Sequence, residues 1–260
     1  MRPAWNPTRR NRHVGTKAHG HGSNNKLVIP QSWHGEIRCF CERLSSYVLV
    51  KKTIGDREIP FFVEPARPDW FYPCTIDDIC FLLSSCPPED LSSFDFIVLR
   101  QATRKQRILS PVWGRAMFIY EIDSYRGTAI VLEAQNLLPV IWGKSINQER
   151  ARELERLAAD GHDIRRSKRG VEVHVTPDSL RSTVLFRTLL HEIGHHVDYN
   201  RRTDDEWDGL TRSEKEDFAH RYAREMYQTL QTQGLVPFPA KLDIQSLQEN
   251  GLSPEWFCPS

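Results

Sequence analysis

The stretch LLHEIGHHVD, residues 189–198, decides how this chain is organised. It places His191 and His195 four positions apart, with Glu192 between them, in an H-E-x-x-H motif. On an α-helix, residues with this spacing lie on one face, so both imidazoles can reach a single metal ion. Asp198 falls in the same sector, one turn further on. The spacing therefore predicts a metal-binding helix.

The opposite sector of this helix is apolar. Phe186, Leu190, Ile193 and Val197 recur at the spacing of an amphipathic helix, which predicts that one face enters the core while the other lines a cleft. Just upstream, residues 170–175 alternate apolar and polar side chains, the period of a half-buried strand. Residues 176–178, Thr-Pro-Asp, then have the composition of a helix start.

A third metal ligand is needed, because a catalytic zinc takes three protein ligands and keeps a fourth position for water. The first strong helix start after His195 is at residues 213–220, where Ser213 and Glu216 have capping-box spacing. We predict Glu216 as the third ligand and Glu214 as the next choice. The alternative is that Glu216 only caps its own helix.

Small residues indicate that the two helices pack closely. Ala219 and Ala223 lie on the second helix and would let it approach the first. Close packing would let a glutamate on one helix reach a metal held by the other. Gly194 sits in mid-helix although glycine costs about 1 kcal/mol there, which supports the interpretation of the motif as a metal site.

The remaining polar groups of the motif receive separate roles. Glu192 is the expected general base for a water molecule, and Asp198 is a candidate to orient a ligand imidazole. His196 points well away from the face shared by His191 and His195, so it is not expected to be a ligand. The candidates for stabilising a transition state are His220, Tyr227 and Tyr199.

The motif resembles that of a known class of peptidase. His-Glu-Ile-Gly-His-His-Val-Asp at 191–198, followed by Glu-Asp-Phe-Ala at 216–219, is similar to the gluzincin metallopeptidases, above all to the Glu-x-Phe-Ala pattern of the anthrax-lethal-factor-type and ImmA/IrrE-type peptidases. The resemblance covers about residues 184–227. The metzincin pattern is excluded, because it needs glycine at 198 and histidine or aspartate at 201, where this chain has Asp198 and Arg201.

The resemblance implies a zincin-like α+β domain, in which a mixed or antiparallel sheet packs on the H-E-x-x-H helix and on a following helix that carries the glutamate. It implies Zn²⁺ as cofactor, with His191, His195 and Glu216 as ligands, and hydrolysis of peptide bonds in a protein or peptide substrate. In similar peptidases an edge strand holds the extended substrate by β-augmentation, and residues 171–175 are our candidate for that strand.

The rest of the chain favours the same α+β class. Helices are predicted near residues 34–46, from Thr75 onward and over 147–160, and β-rich runs are predicted at 59–63, 94–100, 112–121 and 128–135. We divide the chain into a disordered basic arm over residues 1–26 and a single catalytic domain over 27–260. Within that domain, residues 27–165 supply the sheet and 166–260 the metal-site helices.

Composition limits the alternatives. The chain has 260 residues, 39% of them hydrophobic, with a formal net charge of +1. No segment approaches 18 uninterrupted apolar residues, so we expect no membrane partner.

No secretory h-region is visible, so the cytoplasm is the expected location, with export by a signal-less route as the alternative. The six cysteines are expected to be free thiols.

The excess positive charge of the chain lies near the N-terminus. Residues 1–35 contain six lysines and arginines and no acid, but a solvated tail is a better interpretation than a nucleic-acid-binding segment. The alternative function is a non-catalytic zincin-fold module for binding or regulation, to which this arm could contribute. Retention of Glu192 favours the enzyme, because a structural zinc site needs no general base.

Overall fold

The structure is a computed structural model that describes residues 44, 46–109, 112–168 and 170–258. The described chain is an α+β protein with a mixed sheet and helices, as the sequence predicts. The predicted arm at 1–26 lies outside the described residues. So does the predicted helix at 34–46, apart from residues 44 and 46, which are not helical.

The larger sheet has five described strands. They are β1 (Val48–Ile54), β2 (Arg57–Val63), β3 (Phe96–Arg100), β4 (Gly114–Ile122) and β5 (Tyr125–Glu133). Their order is β1-β2-β3-β5-β4, with parallel pairing of β2 with β3 and of β3 with β5, and antiparallel pairing at both ends. The four predicted β-rich runs are thus confirmed as strands. Because β5 lies between β3 and β4, β4 is an edge strand of the sheet as far as the described residues extend.

The smaller sheet contains β6 (Val140–Trp142), β7 (Asp163–Ser167) and β8 (Gly170–His174), all antiparallel. The prediction of a strand at 171–175 is confirmed, but its predicted place at a sheet edge is wrong. β8 is the central strand, paired with β6 on one side and β7 on the other. The arginine-rich sequence of β7 carries no strand signal, so the sequence did not reveal this second partner.

The helices before the metal-binding motif are α1 (Ile76–Ser84), α2 (Pro88–Leu91), α3 (Arg104–Leu109) and α4 (Gln148–Ala159). The predicted helix over 147–160 is confirmed, with the Asn147 side chain accepting a hydrogen bond from the Arg150 N–H. α4 buries Leu154 and Leu157 against Val171 and Val173 of β8. The small sheet therefore has its own apolar cluster beneath α4.

The C-terminal helices follow in close succession. Helical structure begins at Thr176, as predicted, and continues through α5 (Pro177–Arg181), a π-helical segment (Ser182–Thr188) and α6 (Leu189–Asn200). α7 (Asp204–Gly209), α8 (Arg212–Thr232) and α9 (Ile244–Glu249) come after it. The chain closes with a 3₁₀ turn, Pro254–Trp256.

α6 is an amphipathic helix with one face in the main core. Leu190, Ile193 and Val197 are buried there, in the cluster that also contains Ile130 and Leu132 of β5. The predicted core face of the motif is thus confirmed.

α6 and α8 pack closely at Gly194. A Cβ atom at this position would lie 3.1 Å from the Cα of Ala219 and 3.1 Å from the side chain of Tyr222. The mid-helix glycine therefore has a packing reason, which is to let the backbone of α8 approach.

Four cysteines belong to the described residues. Cys74, Cys80, Cys86 and Cys258 are free thiols, as expected. Burial raises the pKa of Cys80 and of Cys86 to about 12, so neither is a reactive thiolate near neutral pH.

Among the helices of the described chain, none combines the length and the apolar character needed to cross a bilayer.

His162 is a buried histidine whose protonation should affect stability. Its Nδ1 lies 2.9 Å from Ser179 Oγ and its Nε2 lies 2.8 Å from Thr183 Oγ1, and burial lowers its pKa. The unfolded chain binds this proton near pH 6.5, whereas the folded chain binds it only at lower pH. The free energy of unfolding should therefore fall as the pH drops below about 6.5.

We expect His162→Gln to be less stable than wild type near neutral pH and to lose part of the decline on acidification. Urea unfolding of both proteins at several pH values measures this. All other titrating groups are common to the two proteins, so an identical pH slope would contradict the prediction.

Candidate metal centre

α6 and α8 bring the three predicted metal ligands together. His191 Nε2 and His195 Nε2 are 3.1 Å apart, and Glu216 Oε2 lies 3.3 Å from the first and 3.8 Å from the second. The two histidines meet because they are one helical turn apart on α6. Glu216 reaches them because α8 packs closely at Gly194.

These separations fit one tetrahedral metal ion. Nitrogen and oxygen ligands about 2.0–2.2 Å from zinc lie about 3.3–3.6 Å from one another at tetrahedral angles, and the three observed distances bracket that range. Two imidazoles and one carboxylate are also a donor set of catalytic zinc sites. The residues therefore fit a zinc ion in both geometry and chemistry.

The start of α8 decides which glutamate is free to be a ligand. Thr211 is the N-cap, and its side chain and backbone exchange hydrogen bonds with Glu214, which is thereby occupied as the capping partner. The predicted capping box of Ser213 and Glu216 is wrong by two residues. The shift releases Glu216 from a capping role and removes Glu214 as the next choice.

Glu216 is an ionised carboxylate in this arrangement. Hydrogen bonds from His191 and His195 hold its pKa well below the usual range, although partial burial acts in the opposite direction. Arg212 Nε, one turn earlier, is 4.0 Å from Glu216 Oε1. A negative ligand is thus available beside the two imidazoles.

Glu192 projects into the same cleft as the two histidines. It is only 6% exposed, and this burial raises its pKa, while His191 and His195 lower it. The backbone N–H of Ala116 in β4 also donates a hydrogen bond to its carboxylate. A buried carboxylate with a raised pKa, fixed against an edge strand, is suited to accept and release a proton.

His220 lies next to the predicted ligands, one turn after Glu216 on α8. Its ring centroid is 4.3 Å from that of His191, and the ligand atoms of His191, Glu216 and His220 lie within 4.8 Å of one another. That limit is looser than the spacing of the His191, His195 and Glu216 set, so the tighter set is the better candidate for a metal site. Burial lowers the pKa of His220 to about 4, which keeps it neutral near pH 7.

The two tyrosines predicted as stabilisers lie elsewhere. The Tyr199 hydroxyl is 3.4 Å from Asp204, and its ring packs against Phe118 and Trp207. Tyr227 lines a neighbouring cavity of about 430 Å³, which also contains His220. Neither tyrosine is among the described residues that line the metal cleft.

Asp198 and His196 are both buried beside the motif. Asp198 is 1% exposed and accepts a hydrogen bond from Arg202 at 2.7 Å, so its partner is this arginine rather than a ligand imidazole. His196 Nε2 lies 3.0 Å from the Ala129 carbonyl oxygen of β5, and burial lowers its pKa to about 4. His196 thus ties α6 to the sheet, in keeping with its predicted exclusion from the ligand set.

The metal cleft has a volume of about 750 Å³, and one wall is β4. Its lining includes the whole stretch 114–118, together with Arg187 and Trp207. Sequence reasoning identified β4 as a strand but did not assign it to the site. The only signal was a β-rich run, and its edge position depends on the insertion of β5, which strand patterns do not reveal.

Comparison with known proteins adds no relative to this description. Protein-family models, characterised proteins and solved structures all give no match to the chain. The arguments about function consequently rest on the residues and geometry of the cleft.

Proposed function

We propose that this protein is a zinc-dependent metallopeptidase that hydrolyses peptide bonds in a protein or peptide substrate. The observation that carries the proposal is the mutual approach of His191, His195 and Glu216 within 3.1–3.8 Å, beside the buried Glu192. We also propose a zincin-like fold for the domain. The support for it is an edge strand beside the motif helix, with the glutamate on a following helix.

The chemistry divides between the metal and the protein. A zinc ion held by His191, His195 and Glu216 would supply Lewis-acid chemistry, lowering the pKa of water and polarising a carbonyl group. Glu192 takes a proton from the attacking water, since it is buried in the same cleft and its pKa is raised. The same carboxyl group then gives the proton to the departing amine.

The edge strand β4 offers a surface for an extended substrate. Residues 114–118 form one wall of the cleft, and β4 pairs with another described strand on one side only. A peptide segment can add to such an edge through backbone hydrogen bonds. We therefore assign to β4 the role that the sequence suggested for β8.

Replacing Glu216 by alanine is expected to remove zinc, whereas replacing Glu214 should not. Both residues are glutamates in the first turns of α8, but only Glu216 faces the histidines, while Glu214 caps the helix. The loss in zinc affinity should exceed the roughly 10–100-fold effect of removing a group that merely supports a ligand. Metal analysis after dialysis and competition with a chromophoric chelator measure the difference.

Helicity by circular dichroism controls for the loss of the cap in Glu214→Ala. Wild type should retain about one zinc per chain and hydrolyse a denatured protein substrate. Equal zinc affinity in the two variants would contradict the ligand assignment. Stoichiometric zinc without hydrolysis of any tested protein would instead support the non-catalytic module.

A further inference from the structure

A groove between α4 and α8 leads away from the metal cleft. Its volume is about 630 Å³, and its walls carry five arginines, two from α4 and three from α8, which we call the arginine groove: Arg152, Arg156, Arg212, Arg221 and Arg224. The lining also includes three carboxylates, so positive charge is in excess. No part of the proposed reaction uses these arginines.

Three of the five arginines have no ion-pair partner within the described part of the chain. Arg156 pairs with Glu153 at 2.8 Å, and Arg212 approaches Glu216 at 4.0 Å. Arg152, Arg221 and Arg224 are exposed, and no described carboxylate lies within 4.0 Å of them. Like charges on facing helices repel one another, and an anion in the groove would offset this cost.

The groove adjoins the metal cleft. Arg212, Glu216 and His220 line both spaces. Arg224 follows Glu216 by eight residues on α8, which is a distance of about 12 Å along the helix axis at 1.5 Å per residue. An extended peptide covers that length in about four residues at 3.3 Å each. A peptide that is held at the metal site and runs along α8 would therefore reach the unpaired arginines within a few residues.

We propose that the arginine groove binds acidic side chains of the substrate within about four residues of the cleaved bond, so that the substrate is an acidic protein segment. The proposal rests on the peptidase function proposed above. A peptide fits better than a nucleic acid, because Glu149 and Asp217 also line the groove. These carboxylates would repel a backbone that carries a phosphate at every residue, whereas an acidic peptide can present its charges at intervals.

Two pools of short fluorescent peptides test this inference. One pool has glutamate and aspartate at alternate positions of a random sequence, and the other has glutamine and asparagine there. The zinc-loaded wild-type protein should show a kcat/KM for the acidic pool that is at least about 3-fold higher, as expected for three exposed charge pairs. Added salt should reduce this preference.

The decisive comparison uses arginine variants. The triple variant, Arg152→Gln with Arg221→Gln and Arg224→Gln, should bring the acidic-to-neutral ratio close to one. Arg166→Gln is the matched control, because Arg166 is also an exposed arginine but lies on β7, outside the groove. It should keep the wild-type ratio. Circular dichroism of both variants verifies that they are folded.

Binding is measured separately from hydrolysis, by fluorescence anisotropy with zinc-loaded Glu192→Gln protein, so the groove can be tested even if no peptide is cut. Hydrolysis of both pools with equal kcat/KM, or equal ratios in the variant and the control, would overturn the groove proposal and leave the peptidase intact. Acid-selective binding without hydrolysis by the wild type would support the groove and overturn the peptidase. Tighter, groove-dependent binding of a single-stranded RNA would overturn the peptide assignment.

Discussion

Replacing Glu192 by glutamine is expected to lower kcat by a factor of about 10²–10⁴, the contribution of a positioned general base, while zinc stays bound. Glu192 lines the cleft but is not one of the three groups that we propose as metal ligands. Glutamine has nearly the same shape and still accepts the hydrogen bond from the Ala116 N–H, but it cannot accept the proton of an attacking water. Steady-state hydrolysis and metal analysis of the same preparation measure both effects.

Thermal unfolding provides a control for this variant. Burying a carboxylate has a desolvation cost, shown by the raised pKa of Glu192, so the neutral amide should leave the metal-free protein at least as stable as wild type. Loss of zinc from Glu192→Gln would mean that Glu192 holds the metal instead of acting as a base. Wild-type activity in this variant would overturn its catalytic role.

Asp78→Ala is expected to destabilise the protein by about 3–5 kcal/mol, because it leaves a buried arginine without its partner. Asp78 Oδ1 accepts hydrogen bonds from Arg181 Nη2 and from the backbone N–H of Lys241, both at 2.8 Å. Its other oxygen accepts the Thr75 N–H at the start of α1. One carboxylate thus joins α1, the C-terminal segment and α5, which leads into the π-helical segment and α6.

The expected loss comes from the unpaired charge more than from the contact itself. The double variant Asp78→Leu with Arg181→Met should recover much of the stability, since apolar residues of similar size can replace a buried pair. Urea unfolding of the wild type, Asp78→Ala and the double variant measures these differences. Asp78→Ala with wild-type stability would show that Arg181 finds other partners, such as the Phe238 carbonyl oxygen that it already contacts.

Local sequence patterns predicted the parts of the site that lie within one helix. His191 and His195 share a face because of helical periodicity, with Glu192 beside that face, and Leu190, Ile193 and Val197 occupy the core face for the same reason. The predicted β-rich runs became strands because β-branched and aromatic residues favour a half-buried, pleated surface. In each case the decisive interactions are between residues close together in the chain.

The sequence-based predictions were wrong where two segments have the same local pattern. Thr211 and Ser213 both precede an acidic residue by three positions, and only the structure distinguishes the cap. The edge position was assigned to β8 instead of β4 for a related reason. A strand's own residues specify that it pairs, but its neighbours in a sheet come from remote parts of the chain.

The sequence by itself determined the helix over residues 189–200, the placing of His191 and His195 on one of its faces and the α+β class, because helical and strand periods are local properties. Only the tertiary structure decided that Glu216, rather than Glu214, faces the histidines, that β4 forms the wall of the cleft, and that arginines from α4 and α8 share a groove. These features depend on the close approach of α8 to α6 at Gly194 and on the order of strands in the sheet. Both arise from packing between segments distant in sequence, which no local pattern encodes.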